Sequence, residues 1–343
     1  MKITTIGLDL AKNVFQVHGV DEKGQAVLRK QLRRDQVAVF FANLPSCLVG
    51  MEACASAHHW ARTIEQFGHV VKLMAPQFVK PYVKTNKNDA ADAEAICEAV
   101  NRPQMRFVPI KNAEQQAVLA LHRARQAFVK ARTAQANQIR GLLGEYGIIL
   151  PQGISHIPKH LPAILEDGEN ELPGSFRALL CRLGEHLKEL DRQVDELEMQ
   201  IHSWHRGNEA SRRLEQIPGI GPITASALVA TIGDVRGYKN ARQLAAWLGL
   251  VPRQHSSGGK SLLLGISKRG DTYLRTLLIL GARAVLRVAE RKAGPVPSWL
   301  AQLAERRHTN VAAVALANKN ARIVWALLAH ERHYQADYAP SAV

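Results

Sequence analysis

Apolar residues come in short runs or in strict alternation over the first hundred positions, and the period lengthens to a helical one near residue 113. Residues 3–9 form an apolar strand pattern that ends on Asp9. Residues 14–20 form a second, closed by the turn residues Asp21, Glu22, Lys23 and Gly24, and residues 26–33 complete a meander. A short helix at 35–43, a strand at 47–51, a helix at 56–67 and a strand at 69–74 follow. Hairpin-linked strands followed by alternating helices and strands predict an α/β domain with a mixed sheet over residues 1–112.

The middle, residues 113–208, is predicted to be helical. Residues 113–146 read as one long helix with Val118, Leu121, Phe128, Ile139, Leu142 and Tyr146 along a seam that Arg125, Arg132 and Gln135 interrupt. Beyond the Pro/Gly-rich stretch 151–174, Phe176, Leu180, Leu183, Leu187, Leu190, Val194, Leu197, Ile201 and Trp204 recur at alternating spacings of four and three. That heptad repeat predicts a coiled coil or an antiparallel helical pair, formed within one chain or between chains. Residues 209–343 read as an all-α domain, with helices at 223–232, 241–248, 271–291 and 310–332 around one long polar loop at 253–267.

Charge sharpens the picture. The chain of 343 residues carries a net +15, and residues 209–343 hold 19 basic against 8 acidic side chains, a surplus of 11. So strong a basic surplus points to a polyanionic partner, nucleic acid first, although a basic surface can also serve solubility alone. Four scattered cysteines without Cys-x-x-Cys spacing argue against a disulfide framework and a structural zinc. Neither a secretory leader nor a membrane span is expected: the N-terminus runs straight into a strand, and the apolar stretch at 311–317 is short. The cytoplasm is the expected compartment.

Two places concentrate chemistry. Near the N-terminus, Asp9 and Glu52 each end an apolar strand, where an acid is costly unless it is solvated or holds a cation. Asp89 and Asp92 share one face at the start of a helix. Four such carboxylates can converge on a pair of hard divalent ions, Mg²⁺ or Mn²⁺, of the kind that clamps the attacking and leaving oxygens in phosphoryl transfer. Each also has an ordinary alternative: Asp9 as a turn residue, Asp89 as a helix N-cap. Glu94 and Glu98 lie nearby with no particular claim.

In the last third, Pro218-Gly219-Ile220-Gly221-Pro222 has the form of a helix-hairpin-helix turn, in which Gly219 and Gly221 let the backbone approach a phosphate, or of a plain helix–helix turn. The loop that follows sets Ser256 and Ser257 before Gly258-Gly259, among Arg253, His255 and Lys260, with Lys268 and Arg269 close behind. A serine there suits attack on a phosphodiester, and the same composition suits plain phosphate binding.

Gly7-Leu8-Asp9, Gly50-Met51-Glu52, Asn88-Asp89-Ala90-Ala91-Asp92, the turn at 217–222 and Ser256-Ser257-Gly258-Gly259-Lys260 occur in that order. Together they resemble the transposases of the insertion sequence 110 family, in the subgroup with subterminal inverted repeats, over almost the whole chain. The resemblance implies a RuvC-like N-terminal domain of the RNase H fold, with Asp9, Glu52, Asp89 and Asp92 as a metal-binding tetrad. It implies a covalent serine nucleophile, Ser257, with Ser256 the adjacent alternative. It also implies a structured guide (bridge) RNA that pairs with donor and target DNA, and a tetramer whose active sites combine domains of different subunits. Two competitors stand beside it: a Holliday-junction endonuclease using metal-activated water, and a non-enzymatic nucleic-acid-binding scaffold.

Overall fold

Alternation in the first three stretches builds a meander of β1 (Thr5–Leu10), β2 (Val14–Val20) and β3 (Ala26–Arg33). Helix α1 (Val37–Ala42) leads to β4 (Leu48–Glu52), α2 (Ala57–Glu65) and β5 (Val70–Met74). The short α3 (Pro76–Val79), then α4 (Asp89–Val100) and β6 (Phe107–Val108), complete the first of two compact units, Met1–Glu114 and Gln115–Val343. The computed structural model describes residues 2–84, 88–292 and 298–336.

The sheet of the first unit runs β3-β2-β1-β4-β5-β6. Strands β1, β4 and β5 are parallel to one another, while β2, β3 and β6 run antiparallel to their neighbours or partners in the meander and edge. This mixed sheet with helices is compatible with a RuvC-like domain. On one face Ile6, Leu8, Phe15, Val17, Trp60 and Ile64 form an apolar core beneath α1 and α2. On the other, α4 lies against β1, β2 and β4.

The second unit opens with α5 (Ala113–Gly144), which begins at the end of the first, and continues through α6 (His156–Glu166) and α7 (Gly174–Gly207). Within the stretch that reads as a Pro/Gly-rich connection, residues 156–166 are thus helical, even with Pro162 inside the helix. Polar ties between α5 and α7 descend one helix as they climb the other. Arg125 Nε donates to Glu198 at 2.7 Å, Arg132 Nη1 to Asp191 at 2.9 Å, and Gln135 meets His186 at 2.8 Å. The polar residues that interrupt the α5 seam are therefore the ones that bind α7, and the two helices pair antiparallel within the chain. Leu180 and Leu187 pack with Ala136, Ile139 and Leu143.

Next come α8 (Glu209–Glu215), α9 (Pro222–Ile232) and α10 (Ala241–Trp247). The polar loop expected at 253–267 is a β-hairpin of β7 (Pro252–Ser257) and β8 (Lys260–Ile266), so the C-terminal region is not all-α. Helices α11 (Thr272–Lys292), α12 (Ser298–Arg306) and α13 (Thr309–Ala329) close the unit. By length and composition α13 is apolar enough to cross a membrane. Here it is the central helix of a core, burying Ala313, Leu316, Ala317, Ala321, Val324 and Leu327 against α10 and α11.

Candidate metal centre and basic hairpin

In parallel register, Gly7 of β1 sits opposite Gly50 of β4, and Leu8 sits opposite Met51. Asp9 and Glu52 are the next residues along, at the C-terminal ends of the two strands. Side chains alternate along a strand, so each glycine shares a face with the acid two residues on. The glycines leave that face bare, and α4 fills it. A Cβ on Gly7 would overlap the Ala93 carbonyl oxygen and lie 2.5 Å from the Cys97 nitrogen; one on Gly50 would lie 2.8 Å from Val100 Cβ. Both glycines serve close helix–sheet packing, a role that the motif alone does not announce.

Asn88 caps α4, its side chain accepting from the Ala91 amide, so Asp89 is the first helical residue and not the cap. At the other end, Asn101 donates to Cys97 O at 2.9 Å and Thr5 Oγ1 donates to Asn101 Oδ1 at 3.2 Å, tying the helix to the start of β1. So held, the first turn of α4 brings Asp89 and Asp92 to Asp9, with one carboxylate oxygen from each lying within 4.8 Å of the others. Asp89 is exposed, while Asp9 and Asp92 are half-buried. Glu52, at the end of the neighbouring strand, is not part of that trio. Its charge, with that of Asp9, reaches the nearby Cys54, whose thiol burial and then these two carboxylates push up from its ordinary value.

The other acids of α4 behave differently. Lys84 binds Glu98 at 3.2 Å and Glu94 at 3.5 Å, and Arg102 also pairs with Glu98, holding its carboxyl below the usual range. Glu94 and Glu98 are thus paired with cations, and Asp9, Asp89 and Asp92 converge on each other. Three carboxylate oxygens so close repel one another, and a cation among them offsets the repulsion. An all-oxygen donor set fits a hard divalent ion such as Mg²⁺ or Mn²⁺ better than zinc.

In the second unit, the hairpin turns through Gly258 and Gly259, both at positive φ (55° and 77°), a two-residue turn that only such residues make cheaply. Ser257 and Lys260 flank it as a register pair, and every residue of β7 is exposed. Ser256 accepts from Gln254 Nε2 at 2.9 Å. The base of the hairpin is rigid by contrast. Buried Arg275 donates from Nη1 to Leu248 O at 3.1 Å and Arg269 O at 2.8 Å, and Lys268 N donates to Gly249 O at 3.2 Å. Arg253, Lys260, Lys268 and Arg269 are all exposed around it. In the α8–α9 turn, Gly219 (φ 86°) has its open side closed by the backbone of Gly281, with a Cβ there 2.8 Å from Gly281 O. Gly221 faces open space.

Two transposase family models match the chain. A DEDD-type transposase model of the IS110 group matches residues 6–148, and a model described as "Transposase IS116/IS110/IS902 family" matches residues 211–294. The chain is 55% identical to a "Probable family 20 transposase" of Pseudomonas aeruginosa, over 98% of this chain and 99% of that one. It is 48% identical to the transposase for insertion sequence element IS1328 of Yersinia enterocolitica, over 94% and 96%. With the transposase for IS1111A of Coxiella burnetii the identity is 46%, over 97% and 92%. The chain belongs to the IS116/IS110/IS902 family of transposases, enzymes of DNA transposition and recombination.

Proposed function

We propose that Asp9, Glu52, Asp89 and Asp92 hold one or two Mg²⁺ or Mn²⁺ ions and that Ser257 is the nucleophile of a cut-and-rejoin reaction on DNA. The convergence of Asp9, Asp89 and Asp92 on the face left bare by Gly7 and Gly50 carries the proposal. When bound, the metal supplies charge stabilisation at the oxygens of the reacting phosphate. Ser257 Oγ forms the new bond to phosphorus while the bond to one sugar oxygen breaks and that oxygen leaves with a proton. Attack by a sugar hydroxyl reverses the step and rejoins the strand without an outside energy source. An exposed serine at the tip of a hairpin on a fixed base suits this task, since the tip reaches the phosphate while Arg275 keeps the base in register.

Arg253, Lys260, Lys268 and Arg269, with the turn at Gly221, would hold backbone phosphates of DNA or RNA, whereas Gly219 is closed off by the backbone of Gly281 and serves helix packing. The resemblance in the motifs supports three finer elements of the proposal: a RuvC-like RNase H fold, a structured guide RNA as the reader of the target, and a tetramer that joins the acidic cluster of one subunit to the serine of another. A cytoplasmic, nucleoid-associated enzyme follows from such partners.

The test is to trap the reaction on a suicide DNA substrate and map the adduct by mass spectrometry. A phosphodiester on Ser257, absent in Ser257→Ala and retained in Ser256→Ala, is expected. An adduct on Ser256, or hydrolysis with no adduct, overturns the assignment, and the second outcome favours the junction-nuclease chemistry.

A further inference from the structure

At the end of the sheet where Asp9 lies, but on the opposite face, a cleft of 570 Å³ opens between the β1–β2 turn, the end of β3 and the start of α2. Its volume is in the range of small-molecule sites. Exposed Val14 and the largely buried Trp60 contribute apolar lining, and Asn13, Arg33, Arg34 and His59 bring hydrogen-bond donors to it. The one acid in the lining, Asp35, lies 3.7 Å from Arg33.

Arg34 is exposed but anchored. Its guanidinium lies over the rings of Trp60 and Phe15, 5.3 and 5.9 Å from their centroids, and Nη1 donates to Lys12 O at 3.3 Å. Phe15 packs edge-on against Trp60 at 5.3 Å and pairs in register with Leu10, the residue after Asp9. The arginine therefore ties three elements together, and one of its five N–H donors is spent in doing so. A planar, pre-organised fork beside an apolar lining is the arrangement that recognises a phosphate joined to a flat, partly apolar body.

We infer that this cleft seats one nucleotide unit of the strand whose phosphate lies at the acidic cluster, with its base or sugar on Val14 and Trp60 and its phosphate at Arg33, Arg34 and His59. The inference rests on the proposal that the cluster handles a nucleic-acid phosphodiester. The exposed turn at residues 11–13, with Lys12 at its centre, lies between β1, which carries Asp9, and β2, whose Val14 lines the cleft, and offers such a strand a cationic path from one to the other.

The experiment uses the full chain, Ca²⁺ in place of Mg²⁺, and DNA and RNA oligonucleotides carrying a photoreactive thio-base at successive positions. Crosslinks on peptides containing Val14 or His59 and Trp60 are expected, and the preferred sugar shows which strand occupies the cleft. Arg33→Gln combined with His59→Gln should erase those crosslinks and weaken oligonucleotide binding about tenfold at low salt, with an unchanged melting temperature and unchanged Mn²⁺ binding. Asp92→Asn should keep the cleft crosslinks, so a failure of the metal proposal would leave this one standing. Absence of crosslinks in the cleft, or a double variant that binds like the parent chain, overturns it.

Discussion

Gly7 and Gly50 face each other across the parallel β1–β4 pair, and each lies two residues ahead of an acid at its strand's end. The relationship explains why the acids of strands and of a helix meet. Only a sheet stripped of side chains lets α4 descend far enough for its first turn to reach Asp9. Gly7→Ala should therefore cost about 1–3 kcal/mol or more, because its Cβ runs into backbone of Ala93 and Cys97 that has no room to give. Gly50→Ala should cost less but not nothing: its Cβ would lie 2.8 Å from Val100 Cβ, which side-chain rotation cannot move, against 2.1 Å from the Ala93 carbonyl oxygen for Gly7. Thermal unfolding of the two variants checks the order, and equal or negligible losses would refute the packing argument.

The legibility of the fold in the sequence follows from where the signal lies. Asp9 and Glu52 stood out because each ends a clean apolar strand, and Asp89 and Asp92 because three-residue spacing on a helix start is visible in any sequence. The glycines' role was hidden: only the packed helix shows what a Cβ would strike. The hairpin is not legible in the sequence for another reason. β7 has no buried face, and β8 exposes Leu262, Leu263 and Leu264 in succession, so neither strand alternates. In α6, proline and glycine neighbours masked a helix whose buried residues are Ile157 and Leu161. Whether the heptad helix paired within or between chains was open, because side-chain period alone does not name the partner; the ties from Arg125, Arg132 and Gln135 do.

His122 provides a pH test of the second unit. It is buried, with Nε2 3.1 Å from Ser226 Oγ and Nδ1 3.1 Å from Tyr273 Oη. Ser226 spends its proton on Pro222 O at 2.7 Å, so Nε2 donates to the serine and Nδ1 accepts from the tyrosine. Burial first, then the charge of Arg125, pushes the imidazole from 6.5 down to about 4. Between those values the unfolded chain binds the extra proton, so stability is complete above pH 6.5 and falls as pH drops toward 4. The loss should amount to about 3 kcal/mol. His122→Leu should flatten that slope in denaturant titrations; an unchanged slope would contradict the assignment.

The α5–α7 pair makes a prediction about mass as well as stability. Leu187 is 1% exposed and packs against α5 residues of the same chain. Leu187→Ala should cost about 2–5 kcal/mol through the lost packing and the cavity left behind. Because the pairing is internal, the mass in light scattering should not change. A lighter particle at full stability would mean that the face joins separate chains.

The central claim is that the three converging carboxylates are a metal site. Titration of the full chain with Mn²⁺, followed by calorimetry and by the melting temperature, tests it most directly. Without metal, Asp92→Asn should melt at or above the parent chain, because one repulsion within 4.8 Å is removed. With metal, the parent chain should bind saturably and gain melting temperature. Asp9→Asn and Asp92→Asn should each lose at least tenfold in affinity, about 1.4 kcal/mol or more. A parent chain that binds no Mn²⁺, or variants that bind it as tightly as the parent, would contradict the account.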